Sequence, residues 1–190
     1  MHIALCVFGV NGVGKSALLS SVVDESHLPV TVVRGSTILK KSLGVASYEV
    51  LENMPAIEKK QALLQGMMDI AKNPPSPITI VDTHLIVSIR SPNGRITEDM
   101  WDNRLASLYN GFIYITADAK LVAERRRQDR QRKLRVSMSS RRNCDEDLHD
   151  NTVHWNQVST HMSQKCVIVN NQTVRIGARK IIEFIQTLTI

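Results

Sequence analysis

Aromatic residues are scarce in this chain of 190 residues: Phe, Tyr and Trp together make up 4% of it. A core with so few rings has to be aliphatic, built mostly from Ile, Val and Leu. Cysteine is scarcer still. The three, Cys6, Cys144 and Cys166, are an odd number without metal-ligand spacing, which argues against a disulfide framework and suits a reducing cytoplasm. Cys6 and Cys166 fall in predicted core strands, where a free thiol behaves as a small hydrophobe. Apolar runs are short, and none approaches the roughly 18 residues that a membrane span needs. The first strand candidate starts at once after Met1, which leaves no room for a basic leader, so the expected location is cytoplasmic with no membrane contact. There is no N-K-x-D stretch for guanine recognition, and the chain is short for an AAA-type motor. Acid is almost missing from one segment. Between Arg125 and Arg142 lie eight arginines and one lysine against a single acid, Asp129.

What the chain does contain is ordinary for a globular domain: 43% hydrophobic residues, a net charge of +6 and a mean hydropathy of −0.13. "IALCVF" (3–8) is a continuous apolar run, the pattern of a strand buried on both faces. Residues 16–23 read as a helix, "VTVV" (30–33) as a strand and 36–44 as a short helix stopped by Gly44. A mostly helical stretch, 46–72, is broken at Pro55. "ITIVD" (78–82) is a third strand, "SPNG" (91–94) a turn and "GFIYIT" (111–116) a fourth strand. Asp118 then caps a helix running into the arginines. Residues 145–164 read as a helix, 166–170 as a fifth strand and 174–188 as a closing helix. Solid apolar strands alternating with helices predict an α/β fold, a five-stranded parallel sheet with helices on both faces. Ligands of such sheets sit at the carboxyl ends of the strands. Those ends are Gly9–Ser16, Arg34–Ser36, Asp82–His84, Thr116–Asp118 and Asn170–Asn171.

"GVNGVGKS" (9–16) matches G-x-x-x-x-G-K-[ST] at every specified position, after a strand and at the opening of a helix. Glycine lets the backbone curl so that N–H groups converge on phosphate oxygens, and the helix N-terminus adds partial positive charge there. Lys15 then reaches the β- and γ-phosphates, and the Ser16 hydroxyl can ligate Mg²⁺. A nucleoside triphosphate is the implied ligand. Asp82, at the end of its strand, has the position of an acid that holds Mg²⁺ through water; the plainer alternative is a turn or cap acid. The arginine run reads either as a lid over the phosphates or as a solvated, RNA-binding surface. His149, His154 and His161 do not form a compact zinc set. Trp101 and Trp155 are read as packing residues, and Met67–Met68 as helix core.

Taken in order, "GVNGVGKSA", "RGSTILKKSLG", "IVDTH", "IRSPNG", the strand–Asp–helix run from Phe112 and "VIVNN" resemble the archaeal-type adenylate kinases, within the P-loop nucleoside monophosphate kinases. The resemblance runs over most of the chain. It implies one kinase-like domain over 1–190, with a monophosphate-binding helical region near 34–73 and a short lid near 125–142. It also implies Mg²⁺-dependent transfer of the γ-phosphate of ATP to a nucleoside monophosphate. By matching position, Gly9, Val10, Asn11, Gly12, Val13, Gly14, Lys15, Ser16 and Ala17 would wrap the ATP phosphates, with Asn170 beside the adenine. Lys15, Arg125 and Arg132 would be the catalytic cations, and Ser16 and Asp82 the metal residues. Gly35, Ser36, Thr37, Thr83, His84 and Arg90 would face the acceptor. The chain departs from the family where an acid is usual (Ser36) and where arginines are expected (Met54, Gln128 and the region of His154–Asn156). The donor half of the pattern is intact and the acceptor half altered. Two other functions remain open: a kinase for a non-nucleotide small molecule, and an ATP-binding regulatory protein whose basic segment meets RNA or a partner.

Overall fold

The computed structural model describes residues 2–47, 50–51, 54–91, 94–129, 139–162 and 164–189, with only the backbone of 89–91. Five strands form one parallel sheet: β1 (Ile3–Phe8), β2 (Val30–Arg34), β3 (Ile78–Asp82), β6 (Gly111–Thr116) and β7 (Lys165–Asn170). Their order is β2-β3-β1-β6-β7. From β1 the chain builds outward to β3 and β2 on one side and to β6 and β7 on the other. The end of β1 is therefore the point where strand order reverses, the place such a sheet binds ligands.

The alternation of β1 shows why its run is apolar throughout. Ile3, Leu5 and Val7 pack on one face, with Leu18, Leu19 and Val22 of α1 (Lys15–Glu25) and Ala178, Ile181 and Ile185 of α6 (Val174–Leu188). Ala4, Cys6 and Phe8 point to the other face. They meet Ile38 of α2 (Gly35–Leu43), Leu63, Leu64 and Met67 of α3 (Ala56–Lys72), and Trp155 of α5 (Arg141–Ser159). The scarce aromatics are concentrated on this second face. Trp101 meets Phe8 edge-on at 6.0 Å, and Tyr114 stacks on Trp155 at 5.4 Å, so both tryptophans are packing residues. Asp118 caps α4 (Ala119–Gln128) through the Lys120 N–H, as its position implied. No described helix is long and apolar enough to cross a membrane.

Three features differ from the sequence reading. Residues on either side of "SPNG" pair as an antiparallel hairpin, β4 (Ile86–Ser91) with β5 (Gly94–Asp99), outside the main sheet. Helix α5 starts at Arg141, four residues before the expected Asp145, because Ser140 caps it by accepting from the Asn143 N–H. Cys166 is exposed rather than in the core, since it lies on the edge strand β7; Cys6 is buried as expected.

Candidate functional site

The loop from Gly9 to Gly14 joins β1 to α1 at that switch point. Gly12 and Gly14 have φ of +84° and +92°, which L side chains rarely adopt. Close packing adds a second reason for glycine. A Cβ on Gly14 would lie 2.6 Å from Asn171 Nδ2, and one on Gly12 would lie 2.8 Å from the Arg126 Cγ. The loop's curl is thus held from outside by α4 and by the end of β7.

Lys15 is buried, 7% exposed, and its ammonium lies under the loop. Its Nζ donates to the Gly9 carbonyl at 2.6 Å and stands 3.8 Å from Asp82 Oδ1. His84 Nδ1 lies 3.4 Å from Lys15 Nζ and 2.9 Å from the Gly9 carbonyl oxygen. Burial pushes the Asp82 carboxyl above its ordinary range, opposed by the charges of Lys15 and Arg34. The same burial, with Asp82 nearby, raises the Cys6 thiol well above its usual range and keeps it a neutral packing group.

The other residues singled out in the sequence fall as follows. Ser16 and Ala17 are exposed in the first turn of α1, and Val10 and Val13 are buried in the loop. Gly35 is buried; a Cβ there would meet the Asp82 carbonyl oxygen at 3.2 Å and Thr83 Oγ1 at 3.3 Å. Thr83 is itself 4% exposed and donates its N–H to Val7, so it is a packing neighbour of Gly35. Ser36 is half-buried and Thr37 exposed. The backbone of Arg90 pairs with Arg95 across the hairpin. Asn170 is exposed, whereas the next residue, Asn171, is fully buried and donates its Nδ2 to Val13 O at 2.9 Å.

Of the expected lid, Arg132 and residues 130–138 lie outside the described residues. Arg125 sits on the last turns of α4 and turns inward, donating to Val13 O at 2.7 Å and Asn171 O at 3.3 Å. Arg126, not singled out beforehand, is 2% exposed; its Nε donates to Asn11 O at 2.9 Å and its Nη1 to Asp147 Oδ2 at 2.9 Å. Asp147, on α5, also receives Arg95 Nη2 of β5 at 3.0 Å. Arg95 Nη1 reaches Asp150 at 2.5 Å, and Asn151 Oδ1 accepts the Ile86 N–H at 3.3 Å. Polar bonds therefore link the phosphate-type loop, α4, α5 and the hairpin. Between them is a small open cleft with a mixed lining, to which Val10, Asn11, His84, Ile86, Arg126 and Asp147 contribute.

A signal for these missed residues was present. Ala119, Val122, Ala123 and Arg126 follow the i, i+3, i+4, i+7 stripe of a buried helix face. Cys144, Asp147, Asn151, Trp155 and Val158 form the same kind of stripe on α5. A charge on such a stripe has to be paired, and these two pair with each other.

The donor chemistry fits a triphosphate with a hard divalent cation. Lys15 supplies a cation beneath the loop, the first amides of α1 open its N-terminus, and Ser16 and Asp82 offer hydroxyl and carboxylate oxygens. No group of three or more His, Cys, Asp or Glu that could hold a metal ion occurs among the described residues.

Among solved structures, a shikimate kinase from Acinetobacter baumannii, determined in complex with shikimate, superposes with a TM-score of 0.64 over 98% of this chain and 94% of its own, at 11% identity. A shikimate kinase from Bacteroides thetaiotaomicron gives 0.60 over 98% of each chain, also at 11% identity. A gluconokinase from Sinorhizobium meliloti 1021 gives 0.53 over 98% of this chain and 93% of its own, at 13% identity. These likenesses establish a P-loop kinase fold. No curated protein matches the sequence. The family described as AAA domain matches residues 8–140, a span that takes in the loop, Lys15, Asp82, the hairpin and the Arg125–Arg126 pair, and the chain belongs to that family.

Proposed function

We propose that this protein is an ATP-dependent phosphotransferase acting on a small acceptor. The observation that carries the reading is the buried Lys15 ammonium beneath a glycine-rich loop, 3.8 Å from the Asp82 carboxylate. Residues Gly9 to Ala17 would hold the triphosphate, and Ser16 and Asp82 would hold Mg²⁺, directly and through water. The bound cation would supply charge neutralisation between the β- and γ-phosphates. An acceptor oxygen forms a bond to the γ-phosphorus as the bond to the bridging oxygen breaks, ADP leaves, and a hydroxyl acceptor releases its proton to solvent. The protein's share of this is alignment and electrostatics. Lys15 spreads the transferring charge on the donor side, and the fixed Arg125 and Arg126 hold the loop in shape. By the resemblance in motif order Arg132 would be the lid arginine, and it lies outside the described residues.

For the acceptor, the order of motifs favours a nucleoside monophosphate, bound near Gly35, Ser36, Thr37, His84 and Arg90. A second reading, a small non-nucleotide acceptor, is supported by the fold shared with a shikimate kinase and a gluconokinase. The inward turn of Arg125 and Arg126 speaks against an RNA surface at that end of the run. The test is ADP formation from MgATP with AMP, CMP, UMP, GMP, shikimate and gluconate supplied in turn, and with RNA. Stimulation by one small acceptor supports the reading, and stimulation by RNA alone overturns it.

A further inference from the structure

Arg34 ends β2 at the same sheet edge as Asp82, and the parallel ladder pairs the two residues directly. Residues paired in this way leave the sheet on the same face. That face is the one covered by α1, because Val30 and Val32 of β2 and Ile78 and Ile80 of β3 belong to the core cluster of Leu18 and Val22. Lys15 reaches Asp82 from the β1 side at 3.8 Å. Arg34 stands on the opposite side, on the edge strand, one strand further from the loop. The carboxylate is thus flanked by two cations, and only one of them belongs to the phosphate loop.

Residues 30–33 of β2 are half-buried, while Arg34 is exposed. Among the described residues Arg34 forms no ion pair within 4 Å, and the first turn of α2, which follows it, carries no acid. Ser36 stands in that turn. Its ladder partner Asp82 is 11% exposed and already meets Lys15. A guanidinium of this kind offers forked donors that match a phosphate or a carboxylate. Transfer between two anions also needs positive charge on the acceptor side, since Lys15 is committed to the donor side.

We propose that Arg34 is a specificity-determining residue that binds an anionic group of the acceptor, phosphate or carboxylate, and thereby excludes neutral acceptors. The proposal rests on the phosphotransferase reading above.

The test is calorimetric titration of the protein, loaded with MgADP, with AMP, shikimate and gluconate, and with neutral adenosine and myo-inositol. At least one anionic compound should bind, and the neutral ones should not. AMP against the two acids tells a phosphate from a carboxylate source. Arg34→Gln should weaken the anionic compound by roughly 10- to 100-fold, the worth of a charge-assisted hydrogen bond or two. Arg34→Lys should recover part of the loss, and the MgADP titration with thermal unfolding confirms that each variant is folded. Three outcomes overturn the assignment: equal binding by parent and Arg34→Gln, equal binding of neutral and anionic compounds, or no binding of any anionic compound. ADP formation is measured separately. Arg34-dependent binding without ADP formation would leave the anion site standing and remove the phosphotransferase reading.

Discussion

Lys15 and Asp82 are both removed from water, and each lessens the other's cost. A triphosphate above the loop would give Lys15 a stronger partner than the Gly9 carbonyl, so on the proposed reading Lys15→Met should weaken MgATP binding by about 10- to 100-fold, in the range of a hydrogen bond to a charged group. Unchanged affinity and turnover by titration and ADP assay would remove the triphosphate site from the loop. Asp82 permits two measurements. Asp82→Asn should lower turnover much more than nucleotide affinity if the carboxylate acts through a cation whose role grows in transfer. Its folded-state pKa is raised, chiefly by burial. Such an acid binds more protons folded than unfolded between its ordinary and raised values, so its stability contribution is full in acid and lost as pH rises through the raised value. Asparagine undergoes no such loss. In nucleotide-free protein, the Tm of Asp82→Asn should therefore gain on the parent as pH rises from acid to neutral, and parallel Tm profiles would refute the buried-charge argument.

At the scale of elements, the five sheet strands were legible because each is a solid or nearly solid apolar run beside a central core. The hairpin was not. Its second strand, "GRITED", alternates with polar residues and buries little; it is held to α5 by Arg95 with Asp147 and Asp150, and by His154 with Asp99 at 3.0 Å. Bonds of that kind leave no periodic trace in a single sequence. The arginine run was legible as charge but not as structure. Composition cannot tell the inward Arg126 from Arg142, which is 88% exposed and pairs with Glu146 one turn on. The helix stripe could have told them apart. Removing Asp147 takes a buried carboxylate from both Arg126 and Arg95, so Asp147→Ala should cost about 3–5 kcal/mol in urea unfolding and weaken nucleotide binding through the loop. Arg142→Ala should change neither stability nor turnover. Equal effects of the two variants would mean that the network does not hold the loop.

At the scale of the whole molecule, the loop belongs to the central strand of the sheet and is braced by α4, α5 and the segment after β7. Both core clusters meet on β1. A ligand gripped there stabilises the entire fold, because unfolding any of those elements would release it. Nucleotide at 100 times its Kd contributes about 2.7 kcal/mol. For a chain of this size, each kcal/mol moves Tm by roughly 2–4 °C, so saturating MgATP should raise Tm by roughly 5–11 °C. The net charge of +6 makes a competing account testable by the same scan. If the basic segment were the main binding surface, an RNA oligomer would raise Tm, added salt would erase that shift steeply, and MgATP would do little. A site built on Lys15 and the helix N-terminus should instead keep most of its MgATP shift in moderate salt, since its charges are buried and weakly screened. Scans with MgATP, with an RNA oligomer and with each at raised salt separate the two. A salt-sensitive RNA shift with no nucleotide shift would overturn the phosphotransferase reading at its root.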